Sequence, residues 1–576
     1  MGYIESYNRW LTSEKTDEKT KAELLSIKDN DDEIKLRFYQ SLQFGTAGLR
    51  GTMNAGTNAM NIYTVRQATQ AIATLINEEG KEAAERGVAI ACDSRNNSEI
   101  FSKAAAEVLA ANGVKVYIFE SLRPTPVLSF SIRHLGCIAG INITASHNPK
   151  EYNGYKAYWE DGAQLSPEHA KKVSDIIAVT DIFDGISSMD FDEGVKSGII
   201  SVIGEEVDSA YLENVCAQAI DTEIVKEMAD DIKIVYTPLH GAGYKLVPRV
   251  IDMLGIKKLY MVEEQSTPDG DFPTTPFPNP EFKEVFDPGI KLAKEIGSDL
   301  IVATDPDADR VGIAVKVGDD FVTMTGNQVG AILLDYIIMA LNKTGKMPKG
   351  AYTIKSFVTT ELISKIAAVN NIKLYNVFTG FKYIGEVIKH NEKPGEAEFI
   401  FGFEESYGYL RGTYARDKDA VVGTMLICEV AAYYKKRGMT LYDAMQEIYE
   451  KYGYYRDGVD NLTMKGLDGL DRMKRIMAEL RANPPRSIAG IDIDTFIDYN
   501  IPCEYNFKTG EKKILDSGTT NTVYFKCADD VLVIRPSGTE PKIKLYYLVN
   551  EKTAELADEK VLKFKKAALE MIDNIK

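Results

Sequence analysis

Three stretches of this chain repeat one pattern, and that pattern leaves few folds open. They are GVAIACDSRNNSEIFSKAAAEVLAANGVKVYIFE from Gly87, IKIVYTPLHGAGYKLVPRVIDMLGIKKLYMVEE from Ile232 and AYTIKSFVTTELISKIAAVNNIKLYNVFTG from Ala351. Each passes from a short β-branched run through a loop of small or polar residues into an apolar-periodic helix. Each helix stops at Gly113, Gly255 or Asn371 and is followed by a second short strand. Two parallel strands need a crossover connection, and a helix of this length supplies one. The endings NGVKVY, LGIKKLY and NNIKLY are alike, which favours three related α/β domains over three unrelated ones.

The flanks read differently. DRMKRIMAELRANPP is a helix stopped by Pro484 and Pro485, and NTVYFKCADDVLVIRP alternates around a tight turn near Asp529 and Asp530, as a β-hairpin does. KIKLYYLVN is a further strand, and an amphipathic Lys-rich helix starts at about Thr553. The last part is therefore α+β. The first 40 or so residues are charged and helical in pattern and read as a solvated extension. No long linker separates these parts, so packed domains with a cleft between them are expected. The boundaries fall at 1–206 (helical extension and domain I), 207–324 (domain II), 325–455 (domain III) and 456–576 (domain IV).

Composition removes several classes. At 576 residues and 44% hydrophobic the chain can form several cores. A net charge of −17 disfavours nucleic acid as a partner, while a few Lys and Arg can still make a local positive cleft. The six cysteines form no C-x-x-C and the five histidines are scattered, so buried reduced thiols are expected, without a disulfide frame or a zinc site. No apolar run approaches the ~18 residues of a membrane span, and MGYIESYNRW lacks the features of a signal peptide. Its M-G-x-x-x-S start fits a lipidation pattern loosely but reads as the opening of a helix. A cytoplasmic protein without membrane partners is expected.

Four loops carry chemistry. In NITASHNPKEYNGYKAYW, Ser146 lies between a strand end and Pro149, where a hydroxyl can be exposed and held by backbone, and Lys156 follows in the same unit. By itself such a turn is as readily only a turn. In DLIVATDPDADRVGIAV a strand delivers Asp305, Asp307 and Asp309 at alternate positions, on one side if the chain stays extended. Crowded carboxylates call for a hard cation, most simply Mg²⁺, and Arg310 beside them can take a phosphate. An EF-hand needs Gly and Glu where Arg310 and Lys316 stand; a solvated acidic turn is the other reading. VLVIRPSGTEPKIKLYY sets Arg535, Ser537, Gly538 and Thr539 between two strands, as a phosphate cradle or a decorated hairpin turn. FIFGFEESYGYLRG ends a strand with Glu404, Glu405 and Ser406, acceptors suited to sugar hydroxyls. The Gly-rich FGTAGLRGTMNAG holds Arg50, and VFTGFKYIGE holds Lys382, a proton carrier or phosphate ligand if it is more than a solvated lysine.

In this order the motifs resemble the α-D-phosphohexomutase superfamily over nearly the whole chain, with TASHNP and DPDADR the most specific in combination. GFEESYGY points to the bacterial phosphoglucomutase-type subgroup, related to vertebrate phosphopentomutase. The resemblance implies three related α/β domains plus a C-terminal α+β domain around a cleft. It implies a phosphoserine at Ser146, and a metal site of Asp305, Asp307 and Asp309 with the serine phosphate. It further implies catalytic roles for Arg50, Lys156 and Lys382, and substrate contacts from Arg310, Glu404, Ser406, Arg535, Ser537, Gly538 and Thr539. The reaction it implies is interconversion of glucose 1-phosphate and glucose 6-phosphate through glucose 1,6-bisphosphate. A pentose or mannose phosphate handled in the same way, a phosphatase with an aspartate nucleophile, and a sugar-phosphate sensor that does not turn over are the alternatives. The dual-specificity members have a histidine in a G-E-M-S-G-H loop; Tyr407 and Gly408 here argue against that class. The sequence does not give the oligomeric state.

Overall fold

A computed structural model describes residues 2–45, 48–393, 397–464, 466–536 and 542–575. The chain forms two compact units. One comprises residues 1–326, 339–351 and 381–442, the other 327–338, 352–380 and 443–576.

All three expected strand–helix–strand units are present. β1 is Leu49–Thr52, β2 Val88–Cys92, β3 Val116–Phe119, β4 Ala139–Ile143, β5 Tyr152–Trp159 and β6 Ile200–Ile203. Helix Ser98–Ala111 crosses from β2 to its parallel neighbour β3. β7 (Lys233–Thr237), helix Gly243–Leu254 and β8 (Lys258–Met261) repeat this, followed by β9 (Leu300–Thr304), β10 (Val311–Val317) and β11 (Asp320–Met324). In the third copy β12 (Ala351–Ser356) runs parallel to β13 (Lys373–Val377) across helix Leu362–Val369, and β14 (Glu398–Glu404) precedes β15 (Gly408–Leu410). The helix stops behave as their residue types require: Gly113, Gly255 and Asn371 have φ of 75°, 98° and 55°, the left-handed conformation that ends a helix and that Gly and Asn tolerate.

The first sheet has the order β1-β5-β4-β2-β3-β6 and the second β11-β10-β9-β7-β8. Strands inside them are buried on both faces, as β2 and β9 show, because helices cover both sides. Each sheet then leaves its parallel core in the same way. β4 turns into antiparallel β5, β9 into antiparallel β10, and in the third copy β14 into antiparallel β15. These three hairpin loops contain Ser146, the aspartate triplet and the Glu404–Ser406 segment.

In the other unit, strands Tyr454–Thr463, Lys542–Glu551, Asp530–Pro536, Val523–Cys527, Thr495–Asp498, Cys503–Asn506 and Lys512–Ile514 form an antiparallel sheet in that order. The expected hairpin turns at Ala528, whose φ is 54°, and the last helix, Ala554–Asp573, is capped by Thr553. This β-rich part completes the expected class. The N-terminal extension departs from expectation. Its helices Tyr3–Thr12, Glu18–Ser26 and Asp31–Phe38 enclose a core of their own, in which Trp10 meets Phe38, Tyr63 and Phe183 edge to face. Short helices rich in charge hide their few aromatics on one face, which a count of charges does not register. The extension is therefore packed on domain I.

Candidate functional site

Ser146 sits at the start of the β4–β5 loop with φ of 54°. Its N–H donates to Thr144 Oγ1 at 2.8 Å, and its Oγ donates to Asp305 Oδ2 at 2.9 Å and lies 3.2 Å from His147 Nδ1. The hydroxyl is nearly enclosed in the resting structure, at 3% exposure.

The aspartates come together by a different geometry from the one the spacing implies. The loop after β9 is a tight turn and not an extension of the strand: Ala308 N–H donates to Asp305 O, and Ala308 has φ of 47°. Asp305 Oδ1 accepts from the N–H groups of Asp309 and Arg310, which fixes the turn. One carboxylate oxygen from each of Asp305, Asp307 and Asp309 lies within 4.8 Å of the others, and all three residues are buried. Asp307 Oδ2 accepts from Thr125 Oγ1 and Lys156 Nζ, each at 2.7 Å, and Asn142 donates in turn to Thr125. Asp309 Oδ2 is 3.0 Å from Lys418 Nζ and 3.4 Å from Lys156 Nζ.

Two oxygens in this cluster, Asp307 Oδ1 and Asp309 Oδ1, are buried with no hydrogen-bond partner among the described residues. A buried carboxylate oxygen left so is costly. Burial, and then the charges of Asp307 and Asp309, push the Asp305 carboxyl well above the ordinary carboxylate range, and Arg310 offsets this only in part. Burial also acts on Asp307, but Lys156 and the hydrogen bonds of Lys156 and Thr125 outweigh it and hold that carboxyl below its usual range. The cluster presents oxygen ligands only, two of them unpartnered among the described residues, which fits a hard divalent ion. Lys156 and Lys418 are themselves desolvated, yet Asp307 and Asp309 for the first, and Asp309 and Asp417 for the second, hold both above the ordinary lysine range.

Of the other expected residues, some share the field of this core. Arg310 is within the field of Asp309, Asp305 and Glu404. Arg50, on edge strand β1, donates to Asn148 Oδ1 at 3.4 Å and shares the field of Arg310 and Arg95. Glu404 is buried at the end of β14 close enough to act on Lys418 as well, while Ser406 is half-buried in the following turn. Lys382 is not drawn into the cluster. It lies in the first turn of helix Phe381–Asn391 and lines a separate cavity of about 190 Å³ with Trp159, Gln164 and His169. Burial lowers its ammonium against the pull of Glu386. Arg535 is half-buried on strand Asp530–Pro536 of the other unit, and Ser537, Gly538 and Thr539 lie outside the described residues.

Sequence reasoning missed Lys418, Asp417, Thr125 and Arg95. Lys418 belongs to ARDKDA, a charged run set directly against the wholly apolar start of helix Ala420–Lys436, and that abrupt change of polarity is a readable signal. Asp417 accepts from Tyr158 and Gln164 and anchors the run. Thr125 carries no such signal, because its contact with Asp307 joins residues 182 apart.

Family comparisons agree with this architecture. The phosphoglucomutase/phosphomannomutase α/β/α domain models match residues 41–182 (domain I), 209–318 (domain II) and 325–452 (domain III). A phosphoglucomutase of Staphylococcus saprophyticus is 37% identical over 518 residues, 90% of this chain and 92% of that protein. A Staphylococcus aureus phosphoglucomutase is 35% identical over 518 residues, 90% and 91% of the two chains. Among solved structures, the Paramecium phosphoprotein parafusin in its open form superposes with a TM-score of 0.69 at 18% identity, covering 93% of this chain and 95% of its own. A Burkholderia thailandensis phosphoglucomutase/phosphomannomutase family protein gives 0.64 at 18% identity, covering 92% and 98%.

Proposed function

Because this chain belongs to the phosphoglucomutase/phosphomannomutase family, we propose that it is a phosphohexomutase, an isomerase that interconverts glucose 1-phosphate and glucose 6-phosphate through Ser146. The observation that carries the reading is the 2.9 Å contact of Ser146 Oγ with a buried carboxylate triplet holding two unpartnered oxygens. The staphylococcal relatives at 35–37% identity, both phosphoglucomutases, support glucose as the sugar.

In this reading Asp305, Asp307 and Asp309 hold Mg²⁺, which when bound offsets the charge of the transferring phosphoryl group. A phosphoserine at Ser146 gives its phosphoryl group to the free hydroxyl of the bound sugar monophosphate: the P–O bond to Oγ breaks and a P–O bond to the sugar oxygen forms. The sugar hydroxyl loses its proton and Oγ gains one. Lys156 and Lys418, kept protonated by the aspartates, supply positive charge at the reacting phosphate; one of them gives its proton to the departing Oγ and is reprotonated by the proton that the sugar hydroxyl releases. Glucose 1,6-bisphosphate is the intermediate, and its other phosphate returns to Ser146 after the sugar reverses. Arg50 and Arg310 take phosphate oxygens, Glu404 and Ser406 take sugar hydroxyls, and Arg535, Ser537, Gly538 and Thr539 take the phosphate that is not reacting. The labour divides by domain: serine in 1–206, metal in 207–324, sugar in 325–455 and distal phosphate in 456–576. We leave Lys382 outside the reacting groups, since Asp305, Asp307 and Asp309 do not line its cavity.

Incubation with glucose 1-phosphate, Mg²⁺ and a trace of the bisphosphate tests this. Glucose 6-phosphate should accumulate with label on Ser146, and chelator should stop it until Mg²⁺ is returned. Release of inorganic phosphate, or label on Asp305, would overturn the serine route. Faster turnover of ribose, deoxyribose or mannose 1-phosphate would overturn the glucose assignment alone. Asp307→Asn removes one of three anionic ligands. Its loss of metal affinity by calorimetry should exceed the ~10–100-fold that follows removal of a ligand's outer partner.

A further inference from the structure

Behind the loop that carries Ser146 lies a guanidinium whose two terminal nitrogens are both fully engaged. Arg95 Nη1 donates to the carbonyls of Pro149 and Tyr152, and Nη2 to those of Ser146 and Asn148, at 2.5–3.1 Å. Its Nε is 3.2 Å from Asp93 Oδ2. Four N–H groups thus gather four main-chain carbonyls of one loop, and Arg95 is 3% exposed. With both terminal nitrogens committed to the loop, the guanidinium still offers its flat face to a further contact. That face is taken by Phe272, with the ring centroid 5.1 Å from Cζ.

Phe272 comes from the second domain, on the segment between β8 and β9. It is 2% exposed and has φ of 45°, a conformation that aromatic residues rarely adopt. The segment around it is fastened in place. Phe272 N–H donates to Asp269 O, and Asp269 N–H to His240 O. The His240 ring lies between Thr267 O at 3.1 Å and Thr274 Oγ1 at 2.9 Å. On the other side Asp271 Oδ1 accepts from Asn96, next to Arg95, and from Lys150, in the serine loop itself. A Cβ at Gly270 would stand 2.4 Å from Asn96 N, so the two backbones meet with no side chain between them.

We propose that residues Pro268–Phe272 are a buckle by which the domain bearing the aspartate triplet sets the position of Ser146, with Phe272 acting through Arg95 as a positioning residue. This rests on the serine–metal reading above. Phosphoryl transfer depends on placement of the reacting oxygen, and a misplacement of about 1 Å can cost on the order of a hundredfold. Phe272→Leu keeps an apolar side chain of similar bulk and removes the aromatic face. It should lower kcat by about tenfold to a hundredfold with KM for glucose 1-phosphate nearly unchanged. Amide exchange over residues 146–152 should rise while exchange in β2 and β9 stays as in the wild type. Arg95→Lys should lower kcat too, and adding Phe272→Leu to it should cost little more, because the two changes break one device. A folded Phe272→Leu enzyme with wild-type kcat, or losses that multiply in full in the double variant, would overturn the buckle. If Phe272→Leu does not fold, Phe272→Met is read by the same measures, and failure of both to fold would assign Phe272 to the core and overturn the proposal. A wild type without mutase activity would instead mark failure of the serine–metal reading.

Discussion

Ser146 shares an unusual backbone state with one residue in each of the other two hairpin loops. Ser146, Ala308 and Tyr407, one in each hairpin loop, have φ of 54°, 47° and 68°. For a residue with a Cβ this region costs roughly 1–2 kcal/mol, and glycine escapes it. Ser146→Ala and Ser146→Gly should both abolish transfer, yet the glycine variant should be the more stable in urea unfolding by about 1 kcal/mol. That reverses the order expected for an ordinary site. Lys418 offers a second test. A Cβ at Gly408 would fall 2.1 Å from Lys418 Cδ, and Lys418 is pinned between Asp309 and Asp417. Gly408→Ala should push the lysine off Asp309 and lower kcat about tenfold or more, with the far-UV spectrum unchanged. The site was partly legible at this scale. Ser146 and the aspartates stand in short, local patterns, and the chemistry of crowded carboxylates was readable from residue type. Their convergence through a turn at Ala308 was not, because nothing in Pro-Asp-Ala-Asp announces a left-handed alanine.

At the scale of elements, the three strand–helix–strand units were legible because the period changes sharply at each boundary and each helix ends on Gly or Asn. The hairpin exits β4–β5, β9–β10 and β14–β15 were not recognised as one repeated feature, since loops of different length and chemistry share no pattern. The N-terminal helices were misjudged for a related reason: net charge describes their outer faces, and Trp10, Leu24 and Phe38 face inward. Trp10 is 1% exposed, and Trp10→Ala should cost ~3–5 kcal/mol. Thermal unfolding should show a lowered midpoint, while activity well below that midpoint is retained, because Trp10 touches no member of the aspartate cluster.

At the scale of the whole molecule, thiols report on each unit separately. Cys137 and Cys428 lie fully buried in the first, and burial raises both to about 12. Cys503 and Cys527 lie in the second. In rising urea, alkylation of Cys137 and Cys428 should therefore appear together, at the unfolding of their shared unit, and mass spectrometry of the labelled peptides checks this. The same partition has a consequence for synthesis. The first unit is assembled from residues 1–326, 339–351 and 381–442, so the chain leaves it and returns twice. Ser146 and all three aspartates emerge from the ribosome long before Lys418 does. A nascent chain that has reached residue 326 thus contains the three aspartates and Lys156 but not Lys418, and the unit stays incomplete until residue 442 is out. The core of domain I, drawn from residues between Phe44 and Ile200, is in the chain early, yet the unit as a whole is completed only by its last segment.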